Sequence, residues 1–163
     1  ARRAYDMRRF IARRLVGRLR ESRGANMVEA ALITPLLLLL TFSIVDFSSI
    51  FYVYLALENG VSQASRFGVT GAVLPSMTRE ESIRSAMRTA TPTITLPDAA
   101  FTFTHLRPGQ STWLTGIGGP GDVAKVRVNY TWTLFTPLVS QFFTNGQINL
   151  QVESAMLSER SFN

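Results

Sequence analysis

The chain contains no cysteine, which excludes disulfide bridges and thiolate metal sites and is compatible with a location outside the cytoplasm. It has one histidine, His105, so a multi-histidine metal centre and a paired-imidazole mechanism are excluded too. Basic charge is scarce over most of the length. Residues 1–23 hold nine arginines against Asp6 and Glu21, a net +7, whereas residues 24–163 hold eight Lys and Arg against nine acids, a net −1. The +6 of the 163-residue chain is therefore the charge of a tail. A nucleic-acid-binding domain carries its basic residues on the folded part, so nucleic acid is not expected as a partner. Charge of either sign is nearly missing from Met27 to Leu57, where Glu29 and Asp46 alone interrupt an apolar run.

That run is long enough to matter. About 20 apolar residues cross a hydrocarbon core of about 30 Å, so a span starting near Val28 ends around Phe47 or Ser48. Asp46 then falls near the outer headgroups, and Phe51, Tyr52 and Tyr54 follow where an aromatic belt sits. Glu29 lies near the inner face. A carboxylate at the bilayer centre costs on the order of 3 kcal/mol; both acids therefore read either as interfacial groups or as groups with an assembly role. Pro35 lacks an amide donor and is expected to kink or loosen the helix. The apolar stretch is too long for a removable secretory signal peptide, and polar helix follows it rather than a small-residue cleavage pattern.

The basic tail in front of the span fits the positive-inside rule: the N-terminus stays in the cytoplasm and the remainder crosses. Met7, Ile11, Leu15 and Leu19 recur every four residues, with Arg8, Arg9, Arg13, Arg14 and Arg18 around them. This pattern predicts a basic amphipathic helix suited to anionic lipid at the inner leaflet.

Beyond the span the helical pattern continues to about Phe67, with Val61, Ala64, Ser65 and Gly68 forming a small-residue face. Thr78 and Glu81 form a capping box ahead of a second helix, whose buried stripe is expected at Ile83, Met87 and Ala90 and which stops at Pro92. The period then changes to two. Ala124, Val126, Val128, Tyr130, Trp132 and Leu134 alternate with polar residues, which predicts a half-buried strand. Phe101 and Phe103 suggest an earlier strand, and Ile148, Leu150 and Val152 a later one. The expected fold class is α+β: a long N-terminal transmembrane helix, a second helix and a small antiparallel sheet of about three strands. The domains divide into a leader over 1–24, a helix over 25–70 and an extracytoplasmic α+β domain over 71–163.

No catalytic set emerges. Gly116 to Gly121 lacks the Lys-Ser/Thr of a phosphate loop, and Pro120 removes a donor, so a flexible loop is expected. Glu80, Glu81 and Asp98 lack calcium-loop spacing. His105 reads as a surface or packed strand residue. Trp113, Trp132, Phe142 and Phe143 are assigned mostly to the core, with a partner-binding patch as the alternative. The expectation is a non-enzyme with no cofactor.

Arg23-Gly24-Ala25, Val28-Glu29, Leu32-Ile33-Thr34-Pro35-Leu36-Leu37, Ile44-Val45-Asp46-Phe47 and the stretch from Tyr52 to Arg66 together resemble the TadE-like pseudopilins of the tight-adherence (Tad) pilus system. The order of basic leader, glycine, short gap, glutamate and apolar helix also resembles the class III signal of type IV pilin-like proteins. The resemblance implies cleavage after Gly24 by a prepilin peptidase. The new amine of Ala25 and the carboxylate of Glu29 would then pair between neighbouring pilin-like subunits, and the chain would be a minor or accessory component in the bacterial inner membrane with a periplasmic C-terminal domain. The alternative is an accessory subunit of another inner-membrane complex, respiratory or photosynthetic, that keeps its basic leader.

Overall fold

The computed structural model describes the backbone of residues 2–159 and the side chains of residues 24–159. The chain forms two compact units, Ala1–Ile44 and Val45–Asn163. Helix α1 (Arg2–Val69) contributes to both. In the first unit α1 is unbroken through Pro35. The hydroxyls of Thr41 and Ser43 donate back to the carbonyls of Leu37 and Leu39, at 2.8 and 2.7 Å, which hides their polarity on an apolar helix. The helix Gly24–Val69 is long and apolar enough to cross a membrane, and none of its most apolar stretch is buried within the protein.

The second unit holds the rest of α1, then α2 (Arg79–Ala90), β1 (Phe101–Leu106), β2 (Leu114–Thr115), β3 (Val123–Thr133), a single-turn α3 (Pro137–Ser140) and β4 (Gln147–Leu157). The fold is α+β, with an antiparallel sheet in the order β2-β1-β3-β4. The sheet thus has four strands, one more than the alternation of apolar residues indicates. Strand β2 pairs through Thr104↔Thr115 and His105↔Leu114 alone, and two residues show no period.

Apolar periodicity explains the packing. Val53, Leu57, Val61, Ala64 and Ser65 line the buried side of α1. They meet Ile83 and Met87 of α2 and the inward residues Phe101, Phe103, Val126, Val128 and Val152 of the sheet. Fully burying a side chain such as Leu57, Ile83 or Met87 stabilises the fold by about 1.5–3 kcal/mol. The two helices approach closely because α1 is small where they touch. A Cβ added at Gly60 would lie 2.5 Å from Thr91 Cγ2 and 3.3 Å from Met87, and one at Gly68 would lie 3.0 Å from Ile83 Cδ1.

The capping box starts α2 as expected: Thr78 Oγ1 accepts the amide of Glu81, and Glu81 Oε2 accepts that of Thr78 at 2.6 Å. The third buried position is Ser82, with Ala90 only half-buried. The Ser82 hydroxyl donates to Thr78 O and accepts from Leu74 N. A serine with both roles satisfied can occupy a core position, so hydrophobicity placed Ile83 and Met87 and missed the third member of the stripe.

Strands β3 and β4 are registered from Val123↔Leu157 to Thr133↔Gln147. From Asp46 to Val69 the helix rises about 35 Å, at about 1.5 Å per residue; eleven strand residues cover about 37 Å. The long hairpin therefore matches this part of α1 in length. Contacts recur along it: Phe135 N to Asp46 Oδ1, Ser65 Oγ to Ser154 O, and Glu159 N to Val69 O.

Candidate functional site

In the first unit, Gly24, Ala25 and Glu29 are exposed on α1, and a Cβ built on Gly24 meets no atom within 4 Å. Apolar side chains surround the glutamate: Met27 is 77 % exposed and Leu32 73 %. Among the described residues Glu29 has no hydrogen-bond or ion-pair partner. A carboxylate in this setting requires a cation from elsewhere if it enters a dry environment. The side chains of Arg8, Arg9, Arg13, Arg14 and Arg18 lie outside the described residues.

Asp46, at the start of the second unit, is in a different situation. It is 0 % exposed. Its Oδ1 accepts the amide of Phe135 at 3.0 Å and its Oδ2 that of Thr136 at 3.3 Å. Thr136 is the residue before α3, and its own side chain makes no capping bond. Asp46 therefore satisfies backbone donors from outside the helix turn, 89 and 90 residues along the chain. Hydrogen bonds to a charged acceptor are about twice as strong as neutral ones, which offsets the cost of burying the group. In the sequence Asp46 reads as an interfacial or assembly group on the helix, with no sign of this contact within the chain, because its partners are backbone amides and carry no residue signature.

The far end of the same unit is held by a second polar cluster. His105, 8 % exposed, lies with Nδ1 3.0 Å from Gly116 O and Nε2 4.0 Å from Asp122 Oδ2. Asp122 also accepts the amide of Gly119 at 2.8 Å. Arg79 donates to Gly118 O at 2.6 Å and to Gly68 O at 2.8 Å, linking this loop to the end of α1. Burial lowers the Arg79 pKa from the usual arginine value, and the charge of Asp122 opposes the shift. Gly118 has φ +74°, and a Cβ there would lie 2.6 Å from that of His105. The glycines from 116 to 121 thus build an anchored turn, not a free loop. They are needed where a positive φ and a side chain at close range coincide. The partners of His105 and Asp122 in this turn are mostly main-chain groups, an arrangement that supports structure. Among the described residues, no three His, Cys, Asp or Glu side chains gather as a metal site.

A cavity of about 380 Å³ opens beside the Asp46 end, lined by Ser48, Tyr52, Val53, Ile94, Trp132 and Phe135 among others. Trp132 and Phe135 meet edge to face at 5.2 Å. Not all the aromatics assigned to the core are there: Phe142 is 75 % exposed and Trp113 39 %. Trp113 instead covers the Lys125 ammonium, which sits 4.0 Å from its ring centre.

Gly24 and Glu29, with the apolar helix after them and the aspartate before Phe47, lie in one segment that matches the family described as TadE-like protein over residues 24–66. The likeness to that family is confined to this segment. The match begins at Gly24 and ends at the exposed Arg66 of α1, so the TadE-like segment contains Glu29, Pro35 and Asp46. The sheet lies outside it. No curated protein and no solved structure matches the chain.

Proposed function

We propose that this chain is a single-pass TadE-like pseudopilin, a non-catalytic structural component of a Tad-type pilus. One observation carries the reading: the TadE-like segment starts at Gly24, where an open glycine precedes an apolar helix bearing a glutamate with no partner among the described residues. Gly24 and Ala25 flank the bond cut by a prepilin peptidase. Removal of residues 1–24 frees the Ala25 amine, which supplies the cation that Glu29 of a neighbouring subunit requires. Pro35 is a point where the helix loosens as the subunit leaves the bilayer. The arginine-rich tail stays in the cytoplasm against anionic lipid until cleavage, and the C-terminal domain lies in the periplasm of a bacterial inner-membrane system.

A second reading is favoured by the course of α1, which is helical from Arg2 through Gly24 without interruption. In that reading the leader is kept, and the chain is an accessory subunit of another inner-membrane complex. The deciding experiment is the mass and N-terminal sequence of the protein from native membranes. Ala25 as first residue supports the pseudopilin; a retained leader overturns it in favour of the accessory subunit. Glu29→Gln then tests the assembly step. The variant is expected to remain in the membrane but fail to enter filaments, and normal incorporation would remove Glu29 from the mechanism.

A further inference from the structure

Between Val128 and Val152 the sequence has no charged residue. At the other end of the β3–β4 hairpin stand Asp122, Lys125, Arg127, Glu153 and Glu159. The hairpin is therefore charged at one end and carries no charged residue of its own at the other, where the buried Asp46 of α1 holds Phe135 and Thr136. The charge-free end is also where large apolar side chains face outward: Phe135 is 67 % exposed, Leu138 42 % and Phe142 75 %. They sit on a closed loop. Leu134 N donates to Gly146 O across its neck, Gly146 N to Phe143 O, and the α3 turn fills it. Positive φ at Asn145 and Gly146 returns the chain into β4. The side chains are thus presented on a fixed turn.

We propose that this loop, residues 135–146, is a membrane foot that seats its apolar side chains in the headgroup and acyl boundary of the leaflet from which α1 emerges. The inference rests on the single-pass reading. Two observations choose lipid as the occupant. The hydrogen bonds from Phe135 and Thr136 fix the loop beside residue 46 of α1, and about 20 residues counted from Val28 bring the chain to the edge of the hydrocarbon core at that position. The same stretch of α1 displays Phe47, Phe51 and Tyr52 at 53 %, 63 % and 57 % exposure, so both the loop and the helix stretch it is tied to present apolar side chains to the surroundings. An uncharged, aromatic, partly apolar turn is the composition that partitions to an interface. The foot makes the domain a second point of membrane attachment and limits its tilt on the helix.

The chain's lack of cysteine permits a direct test. Single cysteines at Gln141, Leu38 and Gln110 are labelled with an environment-sensitive fluorophore. The full chain is placed in phosphatidylethanolamine–phosphatidylglycerol vesicles, with or without brominated acyl chains. Quenching by bromine is expected at Leu38 and Gln141 and not at Gln110. Adding Phe135→Ser and Phe142→Ser is expected to reduce the Gln141 quench at least two-fold while leaving Leu38 unchanged. Quenching at Leu38 with Gln141 no different from Gln110 would overturn the foot and leave the single-pass reading standing. No quenching at Leu38 would overturn the membrane reading, and the foot with it. A Gln141 signal that depends on the protein-to-lipid ratio would assign the surface to a second copy of the chain and overturn the lipid assignment.

Discussion

The Oδ1 atom of Asp46 accepts the amide of Phe135 at 3.0 Å, joining the TadE-like helix to a loop far along the chain. Together with the Thr136 amide this is a part-buried, two-donor contact to a fully buried carboxylate. Leaving a buried donor unsatisfied costs about 1–3 kcal/mol. Asp46→Ala is therefore expected to destabilise the second unit by about 1–3 kcal/mol, since water can reach part of the freed amides. Asp46→Asn, which keeps one acceptor oxygen, should cost roughly half as much by the same reasoning. Thermal unfolding of the full chain in detergent, followed by circular dichroism of the sheet, would check both; wild-type melting of Asp46→Ala would show the contact to be dispensable.

Gly60 has no free room for a side chain. Its Cβ would lie 2.5 Å from Thr91 Cγ2, in the tight helix contact. Gly60→Val is expected to cost about 1–3 kcal/mol through overpacking, and Gly60→Ala less if the Thr91 rotamer shifts. Gly24→Ala is the counterpart, since a methyl there meets nothing within 4 Å. It should leave the melting temperature unchanged, so any block of processing in that variant is attributable to the cleavage site rather than to the fold.

Arg79 ties Gly68 O of α1 to Gly118 O of the glycine turn. Arg79→Ala should raise hydrogen exchange of the amides from 116 to 122 by at least ten-fold, with smaller changes in α3. Hydrogen bonds from a charged donor are worth about 1.5–3 kcal/mol, which supports an effect of that size. Arg79→Lys has no planar fork to span two carbonyls and should resemble the alanine variant. Unaltered exchange in the turn would place its stability elsewhere.

Acid should weaken the second unit in part through two carboxylates. The Thr78 amide and hydroxyl lower the pKa of Glu81, and the Arg127 hydrogen bond lowers that of Glu153, aided by Lys125. A folded-state pKa below the unfolded value means the contribution is complete above about pH 4.3, the ordinary glutamate value, and is lost as pH falls through the lower folded value. Both groups are close to solvent, so the effect is modest. Denaturant midpoints measured between about pH 6 and pH 3 should fall less steeply for Glu81→Gln/Glu153→Gln than for the parent chain. Equal slopes would assign the acid sensitivity to other carboxylates.

The parts of this fold that repeat were legible in the sequence. Period two marked β3, the Thr78–Glu81 spacing marked the start of α2, and the small face of α1 from Val61 to Gly68 is buried as its composition suggests. What escaped is what depends on the main chain or on a single contact. Strand β2 has two residues. The role of Asp46 depends on amides that any residue provides. The glycine turn around His105 looked loose because glycine marks both freedom and constraint, and the constraint comes from Arg79 of α2 and from Asp122 at the end of the turn itself. Phe142 looked like core because an aromatic residue records apolarity and not direction.

The length match between α1 and the β3–β4 hairpin has a mechanical consequence. The helix is fastened near residue 46 to one end of the hairpin and at Val69 to the other. Tension entering along the helix is therefore met by strands lying alongside it. The ladder from Val123↔Leu157 to Thr133↔Gln147 is then strained in shear, with its hydrogen bonds sharing the force together, and does not open one pair at a time from an end. A subunit built this way would behave as a braced strut under pull.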